Sequence, residues 1–393
     1  MSDHPDTAKV AIVAHFAYGA LAGGHTGHIG GVERQTSLLA RWLAARGHDV
    51  TLIVWDEGQP RPQTIDGVRV VTVCRQSAGL PLLRFFHPRW TSLIRALKAA
   101  DADVYYQNCG EYVTGQVALW CRRHGRSFVY SSASDADCDG RLPLMPERRV
   151  RALYRTGVRL ADRIIVQTAH QQRMLASGFK REAVVVPMPC PTPPPAPAAE
   201  WSSRRTVVWV GRVCEVKRPD RFIDVAKACP ELDFLMIGPN DDSPDYVRRI
   251  AAMAAEVPNL RLSGPANRTQ LDEFYRRALC LCCTSDHEGF PNTFLEAWSH
   301  GLPLVTTWDP DGVVAASDLG IVARDADGIA AGVRQLRTSA PAWQRASANA
   351  ARYFNETHAF EAVMPVFERV LVDAARRRRD VAAAGMTSAR LVS

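Results

Sequence analysis

The chain has 393 residues, 47% of them hydrophobic and 23% charged, and its 48 lysines and arginines against 41 acids give a formal charge of +7. That length exceeds what a single core fills, so two domains are expected, and the composition excludes a disordered or fibrous chain. The positive balance suits anionic partners without naming one, and no apolar run approaches the roughly 20 residues of a membrane span.

The polar start, Met1 to Lys9, leads into a strand-like run at 10–14 with no signal-peptide pattern, so a cytoplasmic protein is expected. Similar apolar runs recur at 50–55, 68–73, 104–107, 128–131, 163–167 and 184–186, with helical patterns between most of them. After the first run comes a glycine-rich loop, Gly19 to Gly31, whose end Gly30-Gly31-Val32-Glu33-Arg34 opens a helix. Glycines let a backbone approach a phosphate and a helix start supplies N–H donors, so Gly30 and Gly31 are candidate phosphate-binding residues, with a ligand-free loop as the alternative. The spacing of Gly24, Gly27 and Gly30 fails the dinucleotide fingerprint, and Asp56 after the second run is a weak point in its favour.

The segment Arg84-Phe85-Phe86-His87-Pro88-Arg89-Trp90 precedes a short helix with Leu93, Ile94 and Leu97 on one side and Arg95 and Lys98 on the other. Such a mixture suits an anionic membrane surface, and it equally suits a helix packed on its own domain. The run at 128–131 leads into Ser134-Asp135-Ala136-Asp137, where hydroxyls and carboxylates can position an acceptor hydroxyl or merely favour a turn.

Seven prolines within 187–197 stop both helix and central strand and read as a semi-rigid linker. Beyond it the alternation resumes, with apolar runs at 206–210, 233–237, 260–263, 280–283 and 304–306. Continuous apolar strands alternating with helices imply parallel sheets covered on both faces. The expected organisation is a first Rossmann-like domain over 1–186, a linker at 187–200 and a second Rossmann-like domain over 201–357. A C-terminal helix over 358–393 can cross back to the first domain, and its tail carries the basic run Arg376 to Arg379. Cys280, Cys282 and Cys283 lie in a run that reads as a buried strand without zinc spacing, so reduced core thiols are expected.

The second domain opens on a strand ending in Gly211-Arg212, followed by Lys217-Arg218-Pro219 at a helix start; Arg212 offers a fork and Lys217 a point charge to a diphosphate. Further on, Glu288 and Glu296 bracket a turn from loop to helix, Gly289-Phe290-Pro291-Asn292-Thr293-Phe294-Leu295. Pro291 disfavours helix at Phe290, and Asn292 is the expected N-cap of a helix over 293–300. The backbone N–H groups from Gly289 to Thr293 would then face an anion, with a carboxylate on either side to accept sugar and ribose hydroxyls. An ordinary capped helix with two solvated acids has the same spacing.

With Gly30-Gly31, Gly211-Arg212, Lys217 and the Glu288/Glu296 pair in this order, the chain resembles the retaining GT-B glycosyltransferases of glycosyltransferase family four, the group with an E-x(7)-E motif. The likeness spans Val10 to about Phe367 and includes Ala161-Asp162-Arg163-Ile164-Ile165-Val166 and Phe290-Pro291-Asn292-Thr293. It implies two doubly wound domains facing across a cleft and transfer of a UDP- or GDP-linked sugar to a glycan or lipid-linked acceptor, without a metal or other cofactor. By the same resemblance, Arg212 and Lys217 would hold the diphosphate, Glu288 and the amides after it the sugar, Glu296 the ribose, and Gly31 would approach the phosphates. The family's frequent histidine after the 128–131 strand is replaced by Ser131-Ser132-Ala133-Ser134-Asp135, so Ser134 and Asp135 are the candidates there. A nucleotide-sugar epimerase of similar shape and a non-catalytic nucleotide-sugar binder are the competing functions.

Overall fold

The computed structural model describes residues 7–23, 30–81 and 83–390, with side chains as far as 377. Gly24, His25, Gly27 and His28 of the first loop, and the side chains of Arg378 and Arg379, lie outside the described residues. The chain divides into two compact units, the first comprising 1–187 with 364–393 and the second 188–363.

The first unit holds β1 (Lys9–Val13), β2 (Asp49–Val54), β3 (Gln63–Ile65), β4 (Val68–Thr72), β5 (Val104–Asn108), β6 (Ser127–Ser131), β7 (Arg163–Val166) and β8 (Val184–Val185). Their order in the sheet is β3-β4-β2-β1-β5-β6-β7-β8. Only β3 runs antiparallel, joined to β4 by Asp66-Gly67, both at positive φ, a hairpin turn that the apolar runs did not announce. Val10 to Val13, Val50 to Val54 and Val104 to Gln107 are buried throughout, because helices cover both faces. Chain order reverses between β1 and β5, which places a switch point at their carboxyl ends.

The second unit is a six-stranded, wholly parallel sheet of β9 (Thr206–Val210), β10 (Asp233–Ile237), β11 (Leu260–Gly264), β12 (Cys280–Cys283), β13 (Leu304–Thr306) and β14 (Gly320–Val322), in the order β11-β10-β9-β12-β13-β14. Here the switch falls between β9 and β12, so the loops after these two strands leave the sheet side by side. All four residues of β12 are buried, and all ten cysteines are free thiols.

The proline tract is not wholly a linker, since Met188 and Cys190 are buried in the core of the second unit and Cys190 bridges Ala359. The last helix, Phe360–Arg390, begins in the second unit; from residue 364 onward its contacts are with the first. The helix Thr91–Ala100 buries Leu93 and Leu97, so that part of the expected membrane-facing stripe is core, and only Ile94 of the three is exposed. Leu80, Leu83 and Phe86 just before it stand 69%, 58% and 60% exposed. Among the described residues no helix is long and apolar enough to cross a membrane.

Candidate active site

Two strand ends and two loops build the site in the second unit. β9 and β10 converge where they end: Gly211 N–H donates to Ile237 O at 3.0 Å. A Cβ on Gly238, whose φ is +148°, would lie 1.7 Å from Gly211 O. Only glycine permits that approach, and it fixes the direction in which Arg212 leaves the sheet. The Arg212 side chain is 60% exposed and pairs with Asp241, from the loop after β10.

The loop after β9 closes with a single turn, Glu215–Lys217, and Arg218 takes a left-handed φ of 49° before the helix Pro219–Ala228. This loop is tied to the one after β12. Thr284 Oγ1 accepts from Trp209 Nε1 at 3.0 Å and lies 2.9 and 2.8 Å from the carbonyls of Lys217 and Arg218, while Asp286 N–H donates to Val216 O at 3.0 Å. The sequence-distant Lys217 and Glu288 are thereby brought into a direct ion pair, their side chains 22% and 12% exposed. Ser285 Oγ donates to the same Glu288 carboxylate at 2.6 Å. Asp286, which the sequence did not single out, takes Arg221 at 2.6 Å and Arg218 at 3.2 Å, and Arg218 also forks onto Asp220. Arg218 is therefore held by acids. Lys217 is the cation of this pair that stands against the motif.

The helix begins at Asn292 and ends at Ser299, with Pro291 as the last extended residue (φ −68°, ψ 125°) and no side-chain cap. Asn292 is thus the first helical residue and not the cap, because the fixed φ of proline already suits the position before a helix. Gly289 O accepts from Trp308 Nε1 at 3.1 Å, and the Phe290 ring packs 5.0 Å from His358. His358 is itself buried, bonded through Nδ1 to Met188 O at 2.9 Å, and burial holds its pKa down to about 4. Glu296 is 7% exposed and accepts from Arg268 at 3.0 Å and Tyr275 at 3.1 Å. Both motif acids are thus ion-paired, Glu288 to Lys217 of the neighbouring loop and Glu296 to Arg268, with a further bond to Glu296 from Tyr275.

In the first unit, Ser134 precedes the short helix Asp135–Cys138, whose Asp137 accepts from Ala133 N–H at 2.8 Å and Ser134 N–H at 3.2 Å. Asp137 is thus a buried structural acid. Asp135 accepts from Gln171 Nε2 at 3.1 Å and lies 3.9 Å from His170 Nε2, a half-exposed imidazole in the first turn of the helix Ala169–Phe179 that follows β7. No local pattern singles out His170, because it lies far from Asp135 along the chain and becomes its neighbour only through the pairing of β6 with β7.

At the switch point of β1 and β5 lies a cavity of about 240 Å³, lined by the end of β1, by Gly30 to Glu33 and by Gln107 to Glu111. Gly30 N–H donates to Glu33 at 3.0 Å. The Gly30 amide is thus taken by a carboxylate of the helix it caps. Cys109, in the loop that carries Glu111, has a φ of 82°, a strained position for a residue with a side chain. Glu111 is pushed up to about 7 by burial and by the charges of Glu33 and Asp137. His15 is 7% exposed, its ring lies 4.2 Å from that of Trp55 at a tilt of 35°, and its pKa is held down to about 4 by burial and Arg89. Asp56, the acid of the dinucleotide alternative, is taken by Arg61 at 2.6 Å. Among the described residues no group of three or more His, Cys, Asp or Glu side chains is placed to hold a metal ion.

With this geometry in view, residues 30–190 match the glycosyl transferase 4-like domain and residues 204–339 the glycosyl transferases group 1 domain. The amylovoran biosynthesis glycosyltransferase AmsD of Erwinia amylovora is 23% identical over 285 residues, covering 70% of this chain and 76% of that protein. The D-inositol 3-phosphate glycosyltransferase of Kribbella flavida is 27% identical over 348 residues, covering 77% and 78%. Anabaena HepE, solved in complex with UDP, superposes with a TM-score of 0.72 at 15% identity, over 93% of this chain and all of that one. The fold is GT-B, two α/β domains with parallel sheets.

Proposed function

Starting from the chain's membership of the glycosyltransferases, both of its halves matching glycosyltransferase domains, we propose that it transfers a sugar from a UDP- or GDP-linked donor to a glycan or lipid-linked acceptor, with retention of configuration and without a metal ion. The observation that carries this is the Lys217–Glu288 pair, held between the loops after β9 and β12 at the mouth of an uncapped helix start. The two groups neutralise each other until a diphosphate arrives. Lys217 then turns to the phosphates beside Arg212, and Glu288, still held by Ser285, accepts hydroxyl hydrogen bonds from the sugar together with the amides of Gly289 to Thr293. Glu296, fixed by Arg268 and Tyr275, accepts from the ribose with its remaining lone pairs.

Chemistry follows from placing positive charge where negative charge develops. Cleavage of the bond between the anomeric carbon and the donor's phosphate oxygen leaves charge on the diphosphate. Lys217, Arg212 and the helix N-terminus stabilise it there, in the place a metal would otherwise act. A phosphate oxygen on the same face takes the acceptor's proton as the acceptor oxygen bonds to the anomeric carbon. Configuration is thereby retained with no enzymic nucleophile. Ser134 and Asp135, with His170 beside them, stand on the acceptor side.

We assign acceptor delivery to the inner face of a membrane, on the exposed Leu80, Leu83 and Phe86 beside Arg84. Flotation with anionic liposomes tests this; no salt-sensitive binding rejects it. The function itself is tested by a thermal-shift screen of nucleoside diphosphates and their sugars, followed by NMR assignment of the product anomer in the presence of a chelator. Lys217→Ala is expected to lower turnover on the order of 10²-fold. Near-wild-type turnover would remove Lys217 from the assigned role.

A further inference from the structure

Among the described residues, the cavity between β1 and β5 carries acids without a counter-cation. Glu33 and Glu111 line it, and Asp137 lies just behind: a Cβ on Gly110 would come 2.6 Å from its Oδ1. Among the described residues lining the cavity there is no lysine or arginine. Glu33 has one bond, from Gly30 N–H. The other groups around the cavity are His15 at the end of β1, neutral by burial, and Arg89 below it, whose Nη2 donates to Gln76 O. Two further groups lack partners, His15 Nε2 on a residue 7% exposed and the Asn108 Oδ1 acceptor.

Buried carboxylates normally sit against a cation or several donors, because an unpaired charge out of water is costly. Among the described residues, these two partly buried carboxylates have no side-chain donor, and the one bond to either is that from Gly30 N–H to Glu33. A ligand rich in hydroxyl or ammonium donors supplies them, whereas a phosphate brings like charge against two acids, which costs several kcal/mol when the groups are close.

We propose that this cavity receives the acceptor as a non-anionic sugar unit, whose hydroxyl or amino groups donate to Glu33 and Glu111, and that it excludes a phosphorylated acceptor of the kind in the names of the D-inositol 3-phosphate relatives. The inference rests on the transferase reading of the chain. It concerns charge selection at the acceptor alone.

The test measures binding of four probes to the full chain at pH 8 by saturation-transfer NMR: inositol, inositol 1-phosphate, glucosamine and glucosamine 6-phosphate. The unphosphorylated member of each pair is expected to bind at least about tenfold more tightly. Glu111→Gln, which keeps shape and removes charge, is expected to narrow that ratio, and so is lowering the pH of the wild type to 5. Equal or tighter binding of the phosphorylated probes overturns the proposal, as does a ratio unchanged in Glu111→Gln or no binding of any probe. Nucleoside diphosphate binding is followed on the same samples. Its absence overturns the transferase reading, while charge discrimination among the probes stands or falls separately.

Discussion

Glu111 illustrates what a binding residue costs its own fold. Its carboxyl gains no hydrogen bond that would repay desolvation, and Glu33 and Asp137 add repulsion, so its folded pKa rises to about 7 from a reference near 4.5. A raised folded pKa means that the folded state holds its proton more tightly than the unfolded chain does. The favourable contribution is complete below about pH 4.5 and is lost as pH rises through about 7. Glu111→Gln should therefore stabilise the protein at pH 8, by about 3 kcal/mol, with the gain shrinking toward pH 5 and gone below about 4.5. Paired denaturant titrations at the two pH values check this; a gain independent of pH would point to packing and not to charge. His15 and His358 act in the opposite direction. Each is held neutral with a pKa of about 4, so stability that is present above 6.5 is lost as pH falls toward 4.

At the scale of elements, the site depends on how closely strand ends approach. Gly238→Ala places a methyl 1.7 Å from Gly211 O at a φ of +148°, so β9 and β10 must part where they now share the Gly211–Ile237 hydrogen bond. The expected cost is about 3 kcal/mol or more, accompanied by weaker nucleoside diphosphate binding because Arg212 follows directly. Stability and nucleoside diphosphate affinity measured on the same variant check the coupling; unchanged affinity in a folded variant would separate Arg212 from the donor. The strands themselves were legible, since runs such as 10–14 and 206–210 are apolar on both faces only when helices cover both. The start of the motif helix was legible to within one residue, the error lying between Pro291 and Asn292. The acid-lined cavity was not legible. Glu33 and Glu111 belong to separate elements and meet because β5 returns beside β1, a sheet order that no local pattern specifies. The Lys217–Glu288 pair was foreseen as two separate ligand contacts, because sequence order reveals neither the adjacency of β9 and β12 nor the Thr284 tie between their loops.

For the whole molecule, the last helix is the element that rejoins the chain's end to its beginning. Beyond Val363 it is held on the first unit by Glu368, 7% exposed, whose carboxylate takes His48 Nε2 at 3.0 Å, Arg46 at 2.7 Å and Trp42 Nε1 at 3.3 Å. Ser127 Oγ donates to Ala374 O at 2.6 Å further along. Burial pushes the Glu368 pKa up, but the hydrogen bonds from His48, Arg46 and Trp42 together outweigh it and leave the pKa lowered. A depressed carboxyl pKa contributes stability above the unfolded value near 4.5, and that contribution is lost as pH falls through the folded value. Acid should therefore loosen the segment after Val363 from the first unit before the sheets open. Glu368→Gln, which keeps the shape and loses the charge, should do the same at neutral pH, at a cost of about 2 kcal/mol for charge-assisted bonds reduced to neutral ones. Hydrogen exchange resolved along the helix is the direct measurement. Faster exchange confined to the part beyond residue 364, with protection in β1 and β2 unchanged, is the expected result. Uniform loss of protection across the first unit would mean that Glu368 belongs to that unit's core stability and not to the attachment of the helix.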